Sequence, residues 1–224
     1  MRKKKWPSLT MLATALNAFF CMVAVLTIVK ANGVEGIFTD VMFLLCVLIV
    51  MFLMNTEVLK KKCGESDAGT VAKATFIPWT VLLGGIIVML KVLPGWKQPF
   101  SNTFGYLVVM LGGGKKKLCD MLQTDTTPTL QFVKNDPWAL MVNFSTVSFD
   151  ATLDALRKDT PLAEDKVAAF RKIVLLKDLV AEFVWFMLVG SVAITMSYGK
   201  LTAYKCQSAK AGNLNVAPVK TLMS

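Results

Sequence analysis

Four polar side chains interrupt long apolar stretches, and they are the first candidates for chemistry. They are Asn17, Asp40, Lys91 and Glu182. Ionisable groups inside membrane helices are costly and often mark ion or proton paths. All three charged residues lie near the ends of their stretches, where long side chains reach headgroups and water. This position favours solvated charges, and a channel or transporter is therefore the second hypothesis for function.

The residue types needed for most catalysis are missing. The 224 residues include no histidine, which excludes histidine acid–base catalysis, Ser-His-Asp triads and histidine zinc sites. Gly112-Gly113-Gly114-Lys115 lacks both the spacing of a P-loop and the Ser or Thr that follows its lysine. The sequence predicts no enzyme, no catalytic residue, no cofactor and no metal.

The five cysteines show no C-x-x-C spacing. Cys21 and Cys46 lie in apolar stretches, where a free cysteine usually serves in packing. Cys63 and Cys119 would share one membrane face if the chain crosses five times, and a bond between them is the alternative. The expectation is free thiols and a reducing compartment.

Runs of three lysines occur three times. They are Lys3, Lys4 and Lys5, then Lys60, Lys61 and Lys62, then Lys115, Lys116 and Lys117. Lysines near a membrane surface bind anionic headgroups with about 1 kcal/mol each, and phosphate contact is the predicted role. Sequence-independent contact with nucleic acid and a simple orientation signal are the alternatives; no specific nucleic-acid partner is predicted.

The composition indicates the elements that carry these residues. Hydrophobic residues make up 54% of the chain and charged residues 18%, with 25 Lys and Arg against 15 Asp and Glu and a net charge of +10. Average soluble domains are roughly 45–50% apolar and about 25% charged. The chain is therefore predicted to be an all-α integral membrane protein.

Its apolar stretches set the number of spans at four or five. Residues 9–29, 37–58 and 179–197 each have the roughly 20 apolar residues that a span requires. Residues 74–93 also suffice, because Pro78 falls in the first turn. Residues 100–114 are short, and either a crossing or a re-entrant hairpin fits them. The distribution of cations favours five crossings, which place the three lysine runs on one inner face and the tail outside.

The polar parts complete the predicted organisation. Helical membrane hairpins occupy residues 1–117, a polar insert 118–172, the final span 173–199 and a basic tail 200–224. One apolar stripe recurs at helical spacing before the final span, and it requires cover from a partner or from the insert. The stripe consists of Ala163, Val167, Phe170 and Val174. The sequon at Asn143 is predicted to be unused, because five crossings place it inside.

Residues 93–106, which read LPGWKQPFSNTFGY, form the most distinctive segment. Pro94-Gly95 ends one helix, and Ser101 and Asn102 supply capping groups for the next. The segment thus predicts an interfacial corner, with Trp96 at the headgroups. The corner residues are Trp96, Pro99, Phe100, Asn102 and Tyr106.

This segment resembles a PGW-x-x-PFSNTFGY-type block in multi-span membrane proteins of nucleocytoplasmic large double-stranded DNA viruses. The resemblance implies a structural virion component in the viral inner membrane that touches minor capsid proteins, as in a giant virus. It brings no catalytic residues. The leading hypothesis is therefore a structural protein that anchors the internal lipid membrane of a viral particle to capsid or core proteins.

Overall fold

The computed structural model describes residues 9–114, 116, 141–157 and 164–206. Within these ranges the secondary structure is helical. Four helices are long and apolar enough to cross a membrane. The prediction of an all-α, multi-span, membrane-embedded protein is thus confirmed.

The helices follow in chain order. Helix α1 is Leu9–Ala31 and α2 is Ile37–Cys63. Helix α3, Ala68–Val92, includes a π-helical turn at Thr80–Gly84. A 3-10 turn, Pro94–Lys97, leads into α4, which joins Gln98–Phe100, the π-helical Ser101–Gly105 and Tyr106–Leu111. Helices α5 and α6 are Phe149–Arg157 and Glu164–Ala203.

The four spanning helices form an up-and-down bundle with two distinct ends. At the charged end, where α1 and α3 finish and α2 begins, Asp40 pairs with Lys30 and Lys91. At the disulfide end, where α2 and α6 finish, Cys63 is bonded to Cys206. Helix α1 therefore begins at the disulfide end, where α6 finishes.

Aromatic rings fill the middle of the bundle. The rings of Phe19 and Trp79 lie 5.1 Å apart, and those of Phe43 and Phe186 are stacked at 5.6 Å. All four side chains are buried. Gly190 makes this packing possible, because a Cβ there would collide with the Phe19 ring. The central layer is a packed core.

Helix α4 does not cross the bundle, so the preference for five crossings is wrong. It runs antiparallel to the first half of α6, with Trp96 against Trp185 and Ser101 bonded to Asp178. Its end meets the beginning of α6, where Gly114 and Asp165 line one pocket. Helix α4 is too short to span, and its Ser101 and Asn102 have hydrogen-bond partners on α6. Lys116 consequently lies at the opposite end from Lys60–Lys62.

Helix α6 extends well beyond a bilayer. Its 40 residues measure about 60 Å, twice the roughly 30 Å hydrocarbon core. The predicted boundary between insert and final span, at residues 172 and 173, falls inside this continuous helix. The first four turns of α6 (residues 164–178) join α4, α5 and residues 141–148 in what we call the cap.

The cap has its own apolar core, which covers the predicted partner stripe. Val167, Phe170 and Val174 are buried against Phe144 and Phe149. The Phe144 and Phe170 rings meet edge to face at 4.8 Å. Of the two covers that the stripe was predicted to require, a partner or the insert, the insert provides it for these three residues, which are therefore not free to bind a partner. Ala163 lies outside the described residues.

Candidate functional site: a buried charge cluster

Five charged side chains meet at the charged end, and we call them the charge cluster. They are Lys30, Asp40, Lys91, Lys97 and Glu182. Lys30 Nζ lies 2.5 Å from Asp40 Oδ1 and donates a hydrogen bond to Glu182 Oε1. Asp40 Oδ2 lies 3.0 Å from Lys91 Nζ, and Glu182 Oε2 lies 3.0 Å from Lys97 Nζ. Lys30 bridges two acidic residues, each of which has a second lysine.

Different elements supply the members of the cluster. Lys30 and Lys91 lie in the last turns of α1 and α3, and Asp40 lies in the first turn of α2. These positions suit their charges, because a helix C-terminus favours cations and an N-terminus favours anions. Lys97 comes from the 3-10 turn and Glu182 from α6. The cluster thus ties all four spans together.

Three members of the cluster are buried, so their pairing matters for the stability of the protein. Lys30, Asp40 and Glu182 are 3%, 1% and 6% exposed. A buried charge that loses its partner destabilises a protein by about 3–5 kcal/mol. Lys30 also lies 5.8 Å from the centre of the Phe186 ring, at the top of the aromatic core. The arrangement can fix the helices in one register. Within the described ranges, no cluster of three or more acidic or cysteine residues could hold a metal ion.

Sequence reasoning found three of these five residues. Asp40, Lys91 and Glu182 were predicted as isolated charges near span ends, and the structure brings them together. Asn17 is exposed on the outer face of α1, away from the cluster. Lys30 and Lys97 were missed as functional residues. The signal that could have found them is that each buried acid requires a cation.

A second polar cluster, the cap joint, fastens α4 and residues 141–146 to α6. Lys177, which is 1% exposed, donates to Asn102 Oδ1 at 3.0 Å and to the carbonyls of Met141 and Phe144, both at 2.7 Å. The neighbouring residue, Asp178, accepts hydrogen bonds from both sides. Its Oδ1 receives Ser101 Oγ at 2.7 Å, and its Oδ2 receives the amide of Thr146 at 2.7 Å.

The predicted corner is part of this joint. Trp185 Nε1 donates to the Trp96 carbonyl at 2.9 Å, and the Phe100 ring meets Trp185 edge to face. Asn102 contacts Lys177, and Tyr106 packs against the cap core. The Pro99 carbonyl accepts the Thr103 hydroxyl at 2.6 Å. Four of the five corner residues therefore contact other parts of the fold.

The described residues of the lysine runs differ in position and in contacts. Lys60 and Lys61 are exposed at the disulfide end, and Lys116 is exposed at the other. Lys62 is not free to bind phosphate, because its Nζ donates to the Leu201, Thr202 and Tyr204 carbonyls. It thereby caps the end of α6. Lys3, Lys4, Lys5, Lys115 and Lys117 lie outside the described residues.

The cysteine prediction is corrected at the same end. Cys63 is bonded to Cys206 across 143 residues, and not to Cys119. Cys21 and Cys46 are free, as expected, but exposed on the outer surface of the bundle. A structural disulfide is typical of an oxidising compartment, which contradicts the expectation of a reducing one.

Comparisons with known proteins provide no relative. No family model matches the chain, and neither a curated protein nor a solved structure matches it. The functional argument therefore rests on the geometry described above.

Proposed function

We propose that the protein is a structural membrane anchor, in which the four-span bundle holds the cap at a fixed position relative to the lipid. The observation that carries this proposal is the continuity of α6, a single unbroken helix that belongs to both the bundle and the cap. An uninterrupted helix resists bending far more than a loop does. A load on the cap is thereby transmitted directly to the bundle.

The two polar clusters support a holding role. The cap joint holds α4 and residues 141–146 on the helix that continues into the bundle, because Lys177 and Asp178 of α6 bind both segments simultaneously. The charge cluster lies one to two turns further along α6, at Glu182. Buried ion pairs of this kind can specify a single arrangement of helices.

The setting we propose is the internal lipid membrane of a large viral particle, with capsid or core proteins as partners. Its support is the resemblance of residues 93–106. Because the apolar stripe is already covered, the partner would bind the outer face of the cap. That face presents Val147, which is 72% exposed, and the exposed Asp154 and Lys172.

The test is site-specific photo-crosslinking in the native membrane or particle. A photoreactive amino acid is placed at Asp154 or Lys172 on the cap, and at Leu45 or Val192 on the bundle surface as matched controls. We expect the cap positions to form stoichiometric cross-links to one protein, and the bundle positions to form lipid adducts. Cap positions that capture only solvent would overturn the anchor proposal.

A channel or transporter is the second candidate, and the charge cluster is the observation that favours it. The packed aromatic core below Lys30 argues against an open path. Purified protein in liposomes should therefore show no proton or cation flux above protein-free controls. A flux that Glu182→Gln abolishes would place transport first.

A further inference from the structure

A groove on the outer surface of the bundle separates α2 from α3 near the charged end. Its volume is about 640 Å³, within the roughly 300–1,000 Å³ of sites for small-molecule ligands. Its α3 side runs from Thr80 to Leu93, a length of about 20 Å. One leaflet of the hydrocarbon core is about 15 Å deep, so the groove is long enough for one acyl chain.

Two glycines leave this groove open. Gly84 and Gly85 both line it, and a Cβ on Gly85 would meet no atom within 4 Å. The π-helical turn at Thr80–Gly84 also lies in its wall, and such turns often occur at functional sites. The other lining residues are mainly apolar, and some face outward, such as Val41 at 46% and Val88 at 60% exposure. Acyl chains of the bilayer can therefore enter the groove from the side.

The charge cluster lies at one end of the groove. Asp40 lines the groove, and Lys91 Nζ lies 3.0 Å from Asp40 Oδ2. Lys91 follows the lining residue Ile87 by four positions on α3, so both lie on the same face of that helix. Asp40 is in the first turn of α2 and Lys91 in the last turn of α3. The ends of spanning helices meet the headgroups, and the groove thus leads from Lys91 into the hydrocarbon.

The cluster has one more positive charge than it pairs internally. Three lysines face two acidic residues. The side chain of Lys91 is 41% exposed, against 4% for Lys30 and 19% for Lys97. Among the described residues, the exposed Glu35 in the loop before α2 pairs with none of these lysines. An ammonium group has three donors, so Lys91 can bind an anion while it remains beside Asp40.

We propose that the groove binds one anionic phospholipid of the bilayer, with an acyl chain between α2 and α3 and its phosphate at Lys91. Charge complementarity selects the headgroup, because a zwitterionic lipid brings no net charge to the surplus cation. One lysine near the membrane surface favours an anionic lipid by about fivefold. This site is separate from the lysine runs and does not depend on the anchor role.

The test compares two photolabels on the full-length protein in phosphatidylcholine nanodiscs: phosphatidylserine and phosphatidylcholine with the same diazirine-bearing acyl chain. Adducts are mapped by mass spectrometry. We expect phosphatidylserine to label Leu44 and Val88 of the groove about five times more strongly. Both lipids should label Val192, which is exposed on α6, equally. Lys91→Gln should abolish the preference, and Lys91→Arg should retain it. Lys61→Gln removes an exposed lysine at the disulfide end and, as the matched control, should change nothing.

A second pair of variants tests the seat of the acyl chain. Gly85→Leu places a side chain in the groove and should lower the labelling of Leu44 by both lipids several-fold. Gly199→Leu is the matched control on α6, where a Cβ also meets no atom within 4 Å, and it should leave groove labelling unchanged. Asp40 keeps Lys30 in Lys91→Gln, and thermal unfolding of each variant checks that the bundle is intact.

Three results would overturn the proposal. Equal groove labelling of the wild type by both lipids, a measurement that needs no variant, would indicate ordinary bilayer contact. A preference that survives Lys91→Gln would place the headgroup elsewhere. A preference that inorganic phosphate removes, and that chloride at equal ionic strength does not, would assign Lys91 to a free anion.

Discussion

At the charged end, Lys30 and Glu182 have unequal importance although they bind each other. The cluster holds three lysines and two acids. Without Lys30, Asp40 still has Lys91 and Glu182 still has Lys97. Without Glu182, the buried Lys30 and its neighbours share the single carboxylate of Asp40. The surplus of cations therefore makes the acid the more sensitive position.

We accordingly predict that Glu182→Leu lowers the free energy of unfolding by about 3–5 kcal/mol, whereas Lys30→Met costs less than about 1.5 kcal/mol. The double variant should recover most of the loss, because it leaves Asp40 paired with Lys91 and Lys97 free to reach water. Unfolding in a fixed detergent measures all three values as a double-mutant cycle. Equal losses for the two single variants would contradict the greater sensitivity of the acidic position.

The sequence identified Asp40, Glu182 and Lys91 as candidate residues, but it did not predict that they lie together in one cluster. Asp40 and Glu182 are separated by most of the chain, and their distance depends on how α1, α2 and α6 pack. Hydropathy locates a charge along its own helix and gives no information about rotation around that helix. Asn17 illustrates this limit, since it occurs in the same kind of apolar stretch and faces outward.

Among the helices, α4 depends most on close contact. A Cβ added to Gly105 would collide with the carbonyl oxygen of Lys177 on α6. Glycine at this position lets the two backbones approach, and the hydrogen bonds of the cap joint require that approach. The length of α4 indicated that a crossing was doubtful, but only the packing shows that the helix belongs to the cap.

Two glycine variants test this contact. Gly105→Ala should lower the free energy of unfolding by about 1–3 kcal/mol, the usual cost of overpacking. Gly85→Ala is the matched control on α3, where a Cβ meets no atom within 4 Å, and it should stabilise the helix by about 0.5–1 kcal/mol. Unfolding of the two variants under identical conditions decides the question; a Gly105→Ala protein as stable as the wild type contradicts the close contact.

Helix α3 begins after an N-cap residue, Asp67, whose contribution to stability depends on pH. Asp67 accepts hydrogen bonds from the amides of Gly69 and Thr70 and from the Thr70 hydroxyl. The bonds from Thr70 and then from Gly69 hold the pKa of Asp67 below its usual value of 3.8. Because the folded protein has the lower pKa, the stabilisation is present above 3.8 and disappears as the pH falls through the folded value.

Asp67→Ala should therefore unfold at a lower temperature than the wild type near neutral pH, and the difference should shrink on acidification below the usual carboxyl pKa. Asp67→Asn retains a capping oxygen without the titration, so its stability relative to the alanine variant should change little with pH. Thermal unfolding of the three proteins from neutral to acidic pH makes the comparison. A difference that stays constant down to the most acidic pH rules out this capping role.

For the whole molecule, the number of crossings fixes which segments share a side of the membrane. Four crossings place Glu65 and Lys200 together at the disulfide end and Asp154 on the opposite side. The positive-inside rule favoured five crossings, because five crossings would place the cations of residues 115–177 on the same side of the membrane as Lys60–Lys62. The disulfide between Cys63 and Cys206 joins the ends of α2 and α6, which charge counting could not foresee.

Labelling of single introduced cysteines with a membrane-impermeant maleimide tests this topology, with the free Cys21 and Cys46 and also Cys119 replaced by serine. Cysteines at Glu65 and Lys200 should react from the same side of sealed vesicles, and one at Asp154 only from the other. Because the disulfide favours an oxidising compartment at Glu65, we predict that the cap faces the reducing side and that the sequon at Asn143 remains unmodified. A glycan on Asn143, or labelling of Glu65 and Lys200 from opposite sides, would contradict the four-span arrangement or its orientation.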